Sequence, residues 1–223
     1  LSITYQLPLR KAVVRLTGEN RPKYKKTKPM HPSGFPTYQA PSAADWRAYL
    51  AKHHDQLANT WLIIYKKGSG IPSLTYEEAR DEALCFGWID SKPNKRDANS
   101  YYLFFAKRNP KSNWSRVNKQ RIAALEKAGK LATPGYTMVE DAKRRGTWDA
   151  LNEVEDLIVP ADLTEEFQKY ELASAHWDNF PPSTRRGILE WIFNAKRTPT
   201  RVKRITQTAE MASRNERANQ FKK

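Results

Sequence analysis

An α+β fold, mostly helical, is the class this sequence predicts: a small antiparallel sheet with packed helices, followed by a C-terminal helical subdomain. Three observations point there. Short β-prone runs occur at 60–65, 87–90 and 101–105. Capped segments with helical spacing separate and follow them. From Asp162 onward every segment reads as helix.

The elements follow in order. Residues 1–41 hold six prolines and a run of cations from Arg21 to Lys28, which reads as an extended arm. Within it, 12–16 has the pattern of one short strand. The body starts near Pro41. Ser42 is a suitable N-cap, and Trp46, Tyr49, Leu50 and His53 recur at helical spacing, so a helix is expected over 43–54. The apolar run 60–65 ends in Lys66-Lys67-Gly68, a strand and a turn. Thr75 with Glu78 three residues on has capping-box spacing for a helix reaching about Phe86. Residues 87–90 leave it as a short strand, and 101–105 form another.

Helices are expected over 114–128, closed by Gly129, and from Thr133-Pro134 to Arg145, closed by Gly146. The acidic stretch 153–156 reads as a loop. Helices then follow at 162–170, 172–179, 182–195 and 199–212, the last opened by Thr198-Pro199. No fixed-period repeat occurs. The expected organisation is an arm at 1–41, an α+β domain at 42–156, a helical subdomain at 157–215 and a basic tail at 216–223.

Charge is segregated along the chain. The net charge is +15 over 223 residues. Residues 1–41 carry eight Lys/Arg against one Glu, a net of +7, and 196–223 carry nine against two, again +7. The stretch between them is nearly neutral, although 91–121 holds nine basic residues and one acidic residue. Solubility alone does not require this segregation. No run approaches the 18 apolar residues of a membrane helix. One cysteine, Cys85, excludes an internal disulfide and a multi-Cys zinc site, and fits a reducing, intracellular compartment. Residue 1 is Leu, which a removed organelle-targeting peptide or a missing end would explain.

Catalytic constellations are weak. Cys85, Trp88 and Asp90 mark a candidate pocket, and His53 and His54 are the histidines that could complete a Cys/His/Asp set. Against this, Cys85 sits between Leu84 and Phe86 near a helix C-terminus, where burial and the helix dipole both disfavour a thiolate. The adjacent His53 and His54 point about 100° apart on a helix, so no metal site is expected. Lys67-Gly68-Ser69-Gly70 is too short for a phosphate-binding fingerprint, and no cofactor is expected.

The basic–aromatic stretch is more informative. Period-two alternation places Tyr101, Leu103 and Phe105 on one strand face and Tyr102 and Phe104 on the other. One face is core; the other is either open for stacking on bases or buried as well, with the cations serving only solubility.

Five strings resemble a known pattern. They are Lys66-Lys67-Gly68-Ser69-Gly70-Ile71-Pro72-Ser73-Leu74-Thr75, Glu82-Ala83-Leu84-Cys85-Phe86-Gly87-Trp88-Ile89-Asp90, Pro110-Lys111-Ser112-Asn113-Trp114-Ser115, Val159-Pro160-Ala161-Asp162-Leu163 and Ala195-Lys196-Arg197-Thr198-Pro199. Together, over about 35–215, the chain resembles the YdeI/OmpD-associated family, also labelled bacteriocin-protection proteins. The resemblance implies a small stress-linked protein, associated with resistance to membrane-active peptides and with a porin. It brings no catalytic residues. Relatives often carry Phe-Thr-Pro-Arg where this chain has Phe105-Ala106-Lys107-Arg108, and the basic arm exceeds the family core.

The main functional expectation is a non-catalytic protein that binds structured RNA. It would be an accessory subunit of a large ribonucleoprotein such as an organelle ribosome, in a mitochondrial or other organelle matrix or in the cytoplasm. Phosphate contacts are expected from Arg21, Lys23, Lys25, Lys26, Lys28, Arg96, Lys107, Arg108, Lys111, Arg116, Arg197, Arg201 and Arg204. Two other readings stand beside it. One is a soluble protection protein that binds an anionic or peptide partner; the other is an enzyme built on the Cys85 pocket.

Overall fold

A computed structural model describes residue 31 and residues 33–219. The order of elements is β1 (Thr37–Gln39), α1 (Ala43–His53), β2 (Asn59–Tyr65), α2 (Tyr76–Cys85), β3 (Trp88–Lys95), β4 (Ser100–Lys107), α3 (Arg116–Lys127) and α4 (Thr133–Arg144). Then come α5 (Asn152–Glu155), α6 (Ala161–Phe167), α7 (Ala173–Asp178), α8 (Pro182–Phe193) and α9 (Thr198–Ser213). The α+β, mostly helical class is as expected.

The sheet runs β1-β2-β4-β3 and is mixed, which corrects the expected all-antiparallel sheet. β2–β4 and β4–β3 are antiparallel, but β1 lies parallel to β2, with Thr37 opposite Trp61 and Gln39 opposite Ile63. The crossover through α1 supplies the length a parallel pair needs. So the body begins at β1, before Pro41. A three-residue strand between Pro36 and Pro41 offers too little alternation to be seen from sequence.

Caps set the helix starts. Ser42 Oγ accepts from Asp45 N–H at 3.3 Å. The Thr75–Glu78 capping box is complete in both directions. Ser115, rather than Trp114, opens α3. The 153–156 stretch expected as a loop is the single turn α5. β3 runs to Lys95, past the expected end at Asp90. It is the edge strand, and the register shift between Asp90 and Pro93 accommodates a proline that a central strand would reject.

Two hydrophobic cores form. The first joins the sheet to α1–α4 through Trp46, Leu50, Leu62, Leu84, Trp88, Leu103, Phe105 and Trp114. The second joins α5–α9 through Leu163, Phe167, Trp177, Ile188, Ile192, Ile205 and Ala209. Each fully buried large apolar side chain contributes roughly 1.5–3 kcal/mol, so both cores are substantial.

The other sheet face carries Trp61, Tyr102 and Phe104, the face expected to be open for bases. Residues from the end of the arm cover part of it. His31 stacks on Trp61 with ring centroids 4.1 Å apart and meets Tyr102 edge-on at 4.7 Å. Phe35 lies 6.1 Å from Phe104.

Candidate binding cleft

A cleft of about 1220 Å³ opens where the α2–β3 junction, the end of β4 and α4 meet. Its lining includes the apolar Phe86, Trp88, Trp114, Pro134, Tyr136 and Met138, and the polar His54, Asp55, Lys107, Arg108, Glu140 and Asp141.

Two glycines shape it. Gly87 adopts φ +76°, a conformation that favours glycine, and its N–H donates to the Leu84 carbonyl at 3.1 Å. This closes α2 and turns the chain so that Trp88 enters the core. The Gly87 carbonyl accepts from the Arg108 backbone N–H at 3.0 Å, which fixes the end of β4 beside the turn. Gly135 brings α4 to the same place. A Cβ there would lie 2.4 Å from the Cys85 carbonyl oxygen, so only glycine permits this approach.

Arg108 is the unusual charge. Its guanidinium lies over the Trp114 ring, 4.0 Å from the centroid, and Nη2 donates to the Asn113 carbonyl. Nε is buried and without a partner, and no carboxylate of the described residues lies within ion-pair distance. Burial alone pulls its pKa down to about 10, so the group still carries its charge at neutral pH. Nearby acids are already engaged: Asp141 pairs with Arg144 and Arg145, and those partners hold its carboxyl below the usual range. Lys107 Nζ donates to the Asp55 carbonyl at 3.0 Å.

Of the candidate pocket residues, Trp88 lines the cleft, whereas Cys85 and Asp90 are not among the lining residues. Cys85 is fully buried, and burial pushes its thiol pKa up despite Arg47 nearby. Asp90 accepts from the Tyr76 hydroxyl at 2.9 Å. Trp88 Nε1 reaches the His54 carbonyl at 3.4 Å. The histidines are held separately, His54 against the Leu50 carbonyl and His176 against the Ala212 carbonyl. Among the described residues no cluster of potential metal ligands occurs.

The expected phosphate-binding cations are dispersed. Arg21, Lys23, Lys25, Lys26 and Lys28 lie outside the described residues. Arg96 bonds Asp97 and the Ser100 hydroxyl at 3.0 and 2.9 Å. Arg116 pairs with Asp156, and Arg201 grips Asp162 with two bonds of 2.7 and 2.9 Å. Arg204 donates to the Trp191 carbonyl and lies over the Trp191 ring. Lys111 and Arg197 are exposed. Lys107 and Arg108 are the two of the set that meet in the cleft.

In the sequence Arg108 and Trp114 stand six residues apart in the basic segment 91–121, but nothing there shows their stacking or the part taken by Phe86, Tyr136 and Met138. The available signal was Pro134-Gly135, a glycine in the first turn of a helix, where close backbone approach is a standard reason for its presence.

Among the described residues no helix is long and apolar enough to cross a membrane. Comparison with family models finds two matches. Residues 38–138 match a domain of unknown function (DUF8412), which contains most of the cleft. Residues 156–215 match the family described as Bacteriocin-protection, YdeI or OmpD-Associated. No curated protein and no solved structure matches the chain. The second match covers α6–α9 and most of the second core, and it is the segment that carries the Val159-Pro160-Ala161-Asp162-Leu163 and Ala195-Lys196-Arg197-Thr198-Pro199 strings. The C-terminal part of this chain, residues 156–215, is therefore similar to the YdeI/OmpD-associated, bacteriocin-protection family.

Proposed function

We propose that the protein is a YdeI-like protection protein that acts by reversible binding, and that the cleft beside Arg108 is where it holds a peptide. The observation that carries this is the cleft itself: apolar walls of Phe86, Trp88, Tyr136 and Met138 beside Arg108, a ring-stacked cation with no carboxylate partner among the described residues. Ligand sites commonly combine an apolar lining with a few placed polar groups. The segment similar to the YdeI/OmpD-associated family supplies the link to bacteriocin protection. Burial of Cys85 and its raised thiol pKa favour binding over thiol chemistry.

Survival of bacterial cells challenged with a membrane-active bacteriocin tests the reading. Cells producing the full chain should survive higher doses than cells without it. Thr137→Trp, which fills the cleft from an exposed position on α4, should remove that advantage. Equal survival with and without the protein sinks the reading.

Polyanion binding is a second reading, favoured by the +7 charge at each end of the chain. It requires affinity for structured RNA that falls by orders of magnitude between about 50 and 200 mM salt. Of the cations expected to serve it, Arg96, Arg116, Arg201 and Arg204 are engaged within the chain. This ranks it second.

A further inference from the structure

We infer that the cleft recognises the C-terminal carboxylate of a peptide, with Arg108 as the carboxylate clamp and the terminal apolar side chain lying against Trp88, Phe86 and Met138. The inference rests on the proposed binding role of the cleft and specifies its ligand.

The guanidinium itself points to one anionic group. Asn113 takes one Nη2 hydrogen, and Trp114 holds the plane at 4.0 Å. Nε is buried behind it. Nη1 has no bond within the described residues and is not among the fully buried unpaired atoms. The accessible edge is therefore the Nη1/Nη2 end, whose two hydrogens match the two oxygens of a carboxylate. A guanidinium stacked on an indole and stripped of water on one side is pre-organised for that contact, so little side-chain entropy is lost on binding.

The surroundings set the rest of the ligand. Of the acids that line the cleft, Glu140 is paired with Lys143 and Asp141 with Arg144 and Arg145, while Asp55 makes no ion pair among the described residues. Asp55 suits a cationic side chain farther along a peptide whose terminus sits at Arg108. Lys107 is drawn aside to the Asp55 carbonyl, so it adds no second fixed cation. One anionic end, an apolar last residue and a basic body describe a cationic peptide with a free C-terminus.

The test compares two synthetic peptides titrated into the full chain by calorimetry: a lysine-rich hexapeptide ending in phenylalanine, as the free acid and as the C-terminal amide. The acid should bind at least about tenfold more tightly, because only it offers a charge to the clamp. Arg108→Met should reduce the acid to the affinity of the amide and leave the amide unchanged, while Arg108→Lys should retain part of the difference. Equal affinities of acid and amide for the unaltered protein overturn the inference, whatever the variants do. So does an acid whose affinity survives Arg108→Met, or a cleft that takes 3-phenylpropionate but neither peptide. These results leave the survival assay standing as a separate judgement on the protection role.

Discussion

Burying a guanidinium with no carboxylate beside it costs the fold free energy, and the Trp114 ring and Asn113 carbonyl offset only part of it. Arg108→Met keeps the unbranched stem and removes the buried charge. Its melting temperature should equal that of the unaltered protein or exceed it, a result no purely structural arginine gives. The effect depends on pH in a defined sense. In the folded chain burial lowers the pKa to about 10. Below pH 10 both folded and unfolded states hold the proton, and the full burden is present. Above about 10 the unfolded state holds more protons, so stability attributable to this group rises with pH. The gap between variant and unaltered protein in urea melts should therefore be constant from pH 7 to 9 and narrow above 10.

At the scale of elements, two glycines in helices make opposite predictions. In α4, the Cβ of Gly135→Ala would meet the Cys85 carbonyl oxygen at 2.4 Å and a Leu131 methyl at 2.9 Å. Backbone cannot yield as a flexible side chain does, so α4 must shift. A loss of about 1–3 kcal/mol is expected by urea denaturation, with weaker peptide binding. In α8, Gly187→Ala meets nothing within 4 Å, and helix propensity should add about 0.5–1 kcal/mol. Caps and periodicity made most helices legible in advance: Ser42, the Thr75–Glu78 box and Pro199 each mark a start that the structure keeps. β1 was invisible because three residues between prolines have no measurable alternation, and only a tertiary partner, Trp61 to Ile63, makes them a strand. The far half of β3, polar and holding Pro93, carries no strand pattern, and it pairs only because an edge strand tolerates the proline. The cleft was mostly hidden for the same reason. Gly87, the Arg108–Trp114 segment and Gly135 come from three separate stretches of chain, and no spacing rule relates them.

Across the whole molecule, the two cores meet through polar contacts. Asn113 bonds Asn194 at 3.2 Å, Lys119 bonds Asn152 at 2.6 Å, and Arg116 reaches both Glu155 and Asp156. Exposed pairs of this kind contribute roughly 0–1 kcal/mol each, so each core is held chiefly by its own apolar packing.

Removing β1 would act on the sheet itself. β2 runs Asn59-Thr60-Trp61-Leu62-Ile63-Ile64-Tyr65, an uncharged, β-branched and aromatic segment, and its outer edge is met by a strand of only three residues. Such an edge, once bare, is a template for any other extended chain. Protein beginning at Ala40 should scatter light and form intermolecular sheet at concentrations where protein beginning at His31 stays monomeric. Thr37, Tyr38 and Gln39 thus act as a gatekeeper against self-association.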